Sequence, residues 1–160
     1  MSAAAAEPQP AMEDRQRTDA TELPVTDAPV PAELAELEDR IYAFNVERTG
    51  IRDGRLLAIM LRDDRGEPYA GLHGHTWGGC CEIKVLWVAE AHRGAGLGRR
   101  LLLAAEQEAG RRGCTRVVLT SHSFQAPGFY ERLGYRRLAE IPDYPRGHRQ
   151  VVLTKTLGDG

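Results

Sequence analysis

Residues Arg93-Gly94-Ala95-Gly96-Leu97-Gly98 stand between an apolar run, Val85-Leu86-Trp87-Val88, and a helix-like segment that opens Arg99-Arg100-Leu101-Leu102-Leu103. The order reads as strand, glycine loop and helix N-terminus, which puts sheet and helix side by side and is the backbone arrangement that binds a pyrophosphate. The first N–H groups of a helix have no partner inside it and carry the positive end of its dipole, so they bind anionic oxygens. Glycines at 94, 96 and 98 remove the Cβ atoms that would hold a phosphate away and permit turns of positive φ. Arg93 and Arg99 add charge-assisted hydrogen bonds. Three glycines near a helix start also make an ordinary tight turn, so the loop alone does not identify a ligand.

Two nucleotide motifs are excluded by their missing parts. No Lys-Ser or Lys-Thr pair follows Gly98, so the loop is not a Walker A phosphate loop. The glycines are spaced G-x-G-x-G, whereas the dinucleotide fingerprint is G-x-G-x-x-G with an acidic residue about twenty positions on. At that distance the chain has Val117-Val118-Leu119-Thr120 and no carboxylate.

The spacing that fits is R-x-x-G-x-G, carried by Arg93, Gly96 and Gly98, and with it the chain resembles the GNAT superfamily of N-acetyltransferases. A second segment, Ser123-Phe124-Gln125-Ala126-Pro127-Gly128-Phe129-Tyr130-Glu131-Arg132-Leu133-Gly134-Tyr135, is similar to that superfamily's later motif, N-x-x-A-x-x-F-Y-E-K-x-G-F. Two motifs in the right order, about thirty residues apart, make chance agreement improbable. The resemblance spans roughly residues 55 to 157. It implies an α/β fold with a mixed, mostly antiparallel central sheet, one splayed strand and flanking helices. It implies acetyl-CoA as the acyl donor.

The chain has 160 residues, enough for one domain and too few for two comfortable ones. Residues 1–20, with Ala3 to Ala6, Pro8 and Pro10, have too little apolar content to fold and are expected to be a disordered tail ahead of a single domain over 21–158. A net charge of -2 gives no pull toward nucleic acid or an anionic membrane. No apolar run is long enough to span a bilayer, and the alanine-rich start lacks the basic flank and apolar core of a secretory signal. The expected location is cytoplasmic. Cys80, Cys81 and Cys114 are odd in number and contain no C-x-x-C pair, so they read as reduced thiols rather than a disulfide framework or zinc site.

Leu23-Pro24-Val25-Thr26 has the makings of a short edge strand, against which the neighbouring prolines argue. From Pro31, Leu34, Leu37, Ile41 and Phe44 recur at three and four, the face of a helix that ends at Gly50. Strands are expected over Leu56–Leu61, Tyr69–Trp77, Glu82–Val88, Arg116–Thr120, Tyr135–Ile141 and Gln150–Thr156, with the turn Asp63-Asp64-Arg65-Gly66 after the first. A long helix over Gly96–Arg112 and a short one over Ala126–Leu133, closed by Gly134, complete the pattern.

Acetyl transfer to an amine needs a grip on the donor, an unprotonated amine, stabilisation of the tetrahedral oxyanion and an acid for the leaving thiolate. For the grip, the resemblance implies that Arg93, Gly94, Ala95, Gly96, Leu97, Gly98 and Arg99 hold the pyrophosphate. It also implies that the backbone of Leu86, Trp87 and Val88 pairs with the pantetheine arm, with Val88 N–H as the oxyanion donor. Ser123 stands where the later motif often has the Asn that steadies the pantetheine, so that contact is expected from its hydroxyl. Tyr130 is the candidate acid, because a phenol near pKa 10 keeps its proton at neutral pH and can pass it to a thiolate near 8.5. Packing against Phe129 would explain the same tyrosine. Glu82, six residues before Val88, has the spacing of the strand glutamate that serves histone-type members as base; an ordinary strand carboxylate, with a water relay in its place, is the alternative.

His73 and His75 face one side of a strand but have no third ligand nearby, so no metal is expected; they suit the wall of an acceptor cleft with Trp77 or a solvated face, and His122 and His148 are further candidates for the cleft, without a motif to support them. The expected partner is a small-molecule amine such as an aminoglycoside-like antibiotic or a polyamine, with no nucleic acid and no membrane. A homodimer is an open option. A protein or peptide acceptor is the second enzymatic reading, and a silent CoA-binding sensor the third. Cys114 lies outside both motifs, which argues against a covalent acetyl-cysteine route.

Overall fold

The computed structural model describes residues 23–158, so the expectation of a disordered tail over residues 1–20 lies outside the described residues. The chain divides into two compact units, one ending at Tyr42 and the other beginning at Ala43. In the first, residues 23–26 form no strand. Pro24 has no N–H to give a ladder, and Thr26 Oγ1 instead accepts the Ala28 N–H at 3.1 Å. Helix α1, Pro31–Thr49, starts on its proline and carries Glu33 in its first turn and Arg48 in its last, charges that suit its dipole. Glu36 and Arg40 pair at 2.6 Å one turn apart.

The second unit holds a six-stranded sheet ordered β1-β2-β3-β4-β6-β5. β1 (Arg55–Arg62), β2 (Pro68–Trp77) and β3 (Cys80–Val88) form an antiparallel meander. Asp63 closes its first turn by accepting the N–H groups of Arg65 and Glu67, both at 2.9 Å. After a 3-10 turn at Glu90–His92 that the sequence did not announce, α2 (Leu97–Arg111) crosses over to β4 (Arg116–His122), parallel to β3. α3 (Pro127–Glu131) leads to β5 (Arg136–Pro142) and β6 (Arg149–Thr156), both antiparallel. The expected mixed, mostly antiparallel sheet is therefore present, with one parallel pair at its centre.

That pair is short. β3 faces β4 only from Cys80 to Ile83; beyond it β3 stays with β2 while β4 stays with β6 as far as His122. The register between β2 and β3 slips at the same place, His73 opposing Val85 and Gly74 opposing Ile83, so Lys84 is an extra residue in β3. A bulge of this kind bends its strand and increases its twist. Gly74 permits it, since a Cβ there would run into the Glu82 carbonyl oxygen.

The core lies under the meander and β4. α2 buries Leu101, Leu102, Ala105 and Ala109 against Leu72, Cys81, Ile83, Val117 and Leu119, each large apolar side chain contributing about 1.5–3 kcal/mol. Two polar ties hold the helix in place. Arg112, at its C-terminal end, donates to the Leu56 carbonyl at 3.0 Å and Thr76 Oγ1 at 3.3 Å, with Glu108 on its Nε at 2.8 Å. Buried Glu106 accepts the Tyr135 hydroxyl at 2.9 Å and Lys155 Nζ at 2.6 Å. β5 is exposed along its whole length and carries Arg136, Arg137 and Glu140, charges that discourage pairing at a sheet edge. Among the described residues, no helix is long and apolar enough to cross a membrane.

Candidate active site

Where β3 and β4 part, a cleft of about 930 Å³ opens. Lys84 to Val88 form one wall and Thr120 and Ser121 the other, with the loop before α2 and the Phe124–Tyr130 region at its rims.

The backbone of β3 is arranged for a ligand here. Ala89 N–H donates to the Tyr69 carbonyl at 2.8 Å, which makes it a hydrogen-bonded residue of the antiparallel ladder. Such residues alternate with ones whose N–H and C=O turn the other way. The groups of Leu86 and Val88 therefore turn away from β2, toward the opening left by β4, and those of Trp87 toward Gly71 on β2. The Val88 carbonyl is taken by Arg93 Nε at 3.0 Å, which ties the glycine loop to the strand.

At the rim, Gly94 and Gly96 have φ of +83° and +74°, conformations that L side chains rarely adopt. Gly96 is the N-cap of α2 and, having no side chain, supplies no cap to the first-turn N–H groups. At Gly98 a Cβ would stand 3.5 Å from the Phe129 ring and 3.7 Å from Leu86 Cδ2, ordinary contact distances, so α2, α3 and β3 meet there. The charged side chains lining the cleft, Lys84, Arg93, Arg99 and Arg132, are all cationic, a field that suits a polyanion. Uncapped helix N–H groups, left-handed glycines and arginines together fit a pyrophosphate.

The cleft thus gathers Leu86, Trp87, Val88, Arg93, Gly94, Gly96, Leu97, Gly98, Arg99 and Tyr130. Tyr130 is 9 % exposed, held edge-on between Phe129 at 5.0 Å and Tyr135 at 5.8 Å, and burial raises its pKa above that of an ordinary phenol. Three expected residues lie outside the lining. Ala95 sits within the loop. Ser123 Oγ accepts the Arg149 N–H at 3.1 Å while its own N–H donates to the Arg149 carbonyl at 2.8 Å, which staples the end of β4 to β6. Glu82 follows from strand alternation: its neighbours Cys81 and Ile83 are buried under α2, so it projects from the opposite sheet face. There it stands opposite His75 in the register, Nε2 to Oε2 3.6 Å.

Sequence reasoning missed Lys84, whose place in the cleft follows from the bulge, and Arg132, which stood in the second motif as a basic residue without a role. It also missed Phe124 and Gln125. The Gln125 side chain accepts the His122 N–H at 2.8 Å and its own N–H donates to the His122 carbonyl at 2.9 Å, fixing the turn from β4 into α3. No cluster of metal-ligating side chains occurs among the described residues. The cysteines are free, and burial raises all three thiols, Cys81 to about 11.

Comparison with known proteins gives consistent results. The profile of the acetyltransferase (GNAT) family matches residues 17–135. Blasticidin-S acetyltransferase of Streptomyces morookaense is 41% identical over 116 residues, covering 70% of this chain and 85% of its own. An acetyltransferase of Agrobacterium fabrum is 35% identical over 119 residues, 74% of this chain and 87% of its own. Among solved structures, an acetyltransferase from Bacillus cereus superposes with a TM-score of 0.68 at 28% identity, covering 84% of this chain and 98% of that one.

Proposed function

The chain belongs to the acetyltransferase (GNAT) family, and from that premise we propose that it moves the acetyl group of acetyl-CoA to a primary amine of a small molecule. The acceptor is an aminoglycoside-like antibiotic or a polyamine, attacked directly within a ternary complex in the cytoplasm. The observation that carries this reading is the cleft between β3 and β4 with the uncapped N-terminus of α2 at its rim. The S. morookaense relative, whose name assigns it a small antibiotic, supports a small acceptor.

In this reading the α2 N-terminus with Arg93 and Arg99 holds the pyrophosphate, and the groups of Leu86 and Val88 turned toward the opening meet the pantetheine arm. Val88 N–H stands ready for the oxyanion, a role in which a fixed donor costs no reorganisation as charge develops. Tyr130, its proton retained by burial, hands it to the departing thiolate. An amine of pKa about 10.4 is neutral in only about one molecule in 2,500 at pH 7, a handicap near 4.6 kcal/mol, so a base is needed. Glu82 fills that role from the sheet face where it pairs with His75. Direct attack is supported by the cysteines, whose raised pKa values leave little thiolate to form an acetyl-enzyme.

Initial velocities with both substrates varied, and the product identified by mass spectrometry, test the proposal. Intersecting double-reciprocal lines and an N-acetylated amine are expected. Parallel lines with an acetylated protein would overturn direct attack.

A further inference from the structure

The glycine loop and arginines supply one rim of the cleft; the rim at the end of β4 is aromatic. The His122 ring stacks on Phe124, centroids 5.4 Å apart and planes within 3°, and meets Tyr144 edge-on at 5.4 Å. Phe124 in turn meets His148 edge-on at 4.9 Å. His122 Nδ1 lies 3.1 Å from the Tyr144 carbonyl. Four rings, His122 at the end of β4, Phe124 in the loop after it, and Tyr144 and His148 in the loop between β5 and β6, therefore form a single cluster.

The second loop is fastened by its own hydrogen bonds. Asp143 Oδ1 accepts the Gly147 N–H at 2.7 Å, the Tyr144 N–H donates to the His148 carbonyl at 3.2 Å, and the His148 N–H donates to the Pro145 carbonyl at 2.8 Å. The rings are held in place and yet turned outward, Phe124 56% and Tyr144 52% exposed. Phe124 also lines the cleft, so the cluster is continuous with it.

The charges of the cleft make this rim useful. A cleft lined by Lys84, Arg93, Arg99 and Arg132 attracts an anionic donor and repels an ammonium. The faces of Phe124 and Tyr144 attract a cation through their quadrupole, and all four rings can stack against a flat partner, without placing a carboxylate beside the donor phosphates.

We propose that His122, Phe124, Tyr144 and His148 form the acceptor subsite, and that it takes an amine carried on a ring in preference to a linear one. This rests on the acetyltransferase reading above. Flexible chains can offer a charge to the rings but no face to cover them.

The test compares benzylamine and glucosamine with butylamine and putrescine, at saturating acetyl-CoA, in the wild type, Tyr144→Ala and the volume-sparing Phe124→Leu, with folding checked by circular dichroism. The ratio of kcat/KM for ring-borne over linear amines is expected to fall about tenfold in Tyr144→Ala, carried by the amine KM. An unchanged ratio would overturn the subsite, as would an effect confined to the KM for acetyl-CoA, read in a second series with acetyl-CoA varied at saturating amine. Should the wild type acetylate none of the four, calorimetry of benzylamine with the CoA-loaded protein decides: binding weakened by Tyr144→Ala supports the subsite and no binding overturns it. Turnover of linear amines with no ring preference leaves the acetyltransferase reading intact while removing this one.

Discussion

Among single residues, Tyr130 and Gly96 carry the proposed chemistry. Burial raises the Tyr130 pKa, so its hydroxyl stays protonated above the usual phenol range and its proton is available across neutral and mildly alkaline pH. Tyr130→Phe keeps the ring between Phe129 and Tyr135 and removes only that proton. We expect kcat to fall about a hundredfold, the size of a lost general acid, with the KM for acetyl-CoA nearly unchanged, as steady-state kinetics will read. Gly96 tests the other substrate. Its φ of +74° is strained for any side chain, while the space around it within the protein is open. Gly96→Ala should cost about 1 kcal/mol of stability and raise the KM for acetyl-CoA more than it lowers kcat. Both residues were legible in the sequence because each sits in a motif whose chemistry depends on residue type at fixed spacing. Ser123 shows the limit of that logic: its position is the motif's, but its hydroxyl accepts from the Arg149 backbone, a partner 26 residues away that no local pattern announces.

Among the elements, the decisive one is β3, which pairs with β4 for four residues and then leaves it. Apolar periodicity marks the strand, glycine spacing marks the helix after it, and the resemblance implies a splayed strand. The bulge at Lys84 was not legible, because it arises from a register slip between β2 and β3 that depends on the absence of a Cβ at Gly74. A strand read one residue at a time shows alternation and conceals such a slip. The same slip brought Lys84 into the cleft unannounced. Gly74→Ala should therefore force the Glu82 peptide to move, and with it the bulge and the proposed base, costing about 1–3 kcal/mol in denaturant unfolding and lowering kcat/KM. Unchanged activity in a well-folded Gly74→Ala protein would count against the bulge as the cause of the opening.

For the molecule as a whole, stability and chemistry share α2, whose N-terminus rims the cleft and whose inner side carries Glu106 with Tyr135 and Lys155. Burial and the neighbouring Glu106 carboxylate push the Tyr135 pKa far above that of a free phenol. Below about pH 10 the phenol is protonated both folded and unfolded, and its contribution is fully present; above that, the unfolded chain loses the proton first and stability declines. Melting temperature should therefore drop as pH rises past about 10. Tyr135→Phe should flatten that drop while costing about 1–3 kcal/mol at neutral pH, as Glu106 loses a hydrogen bond. The proposed transfer of acetyl groups to small amines in this cleft is read out by thiol release from acetyl-CoA across an amine panel, with Tyr130→Phe as control. Release should depend on the amine and collapse in the variant; CoA binding with no amine raising thiol release would rule the transfer out.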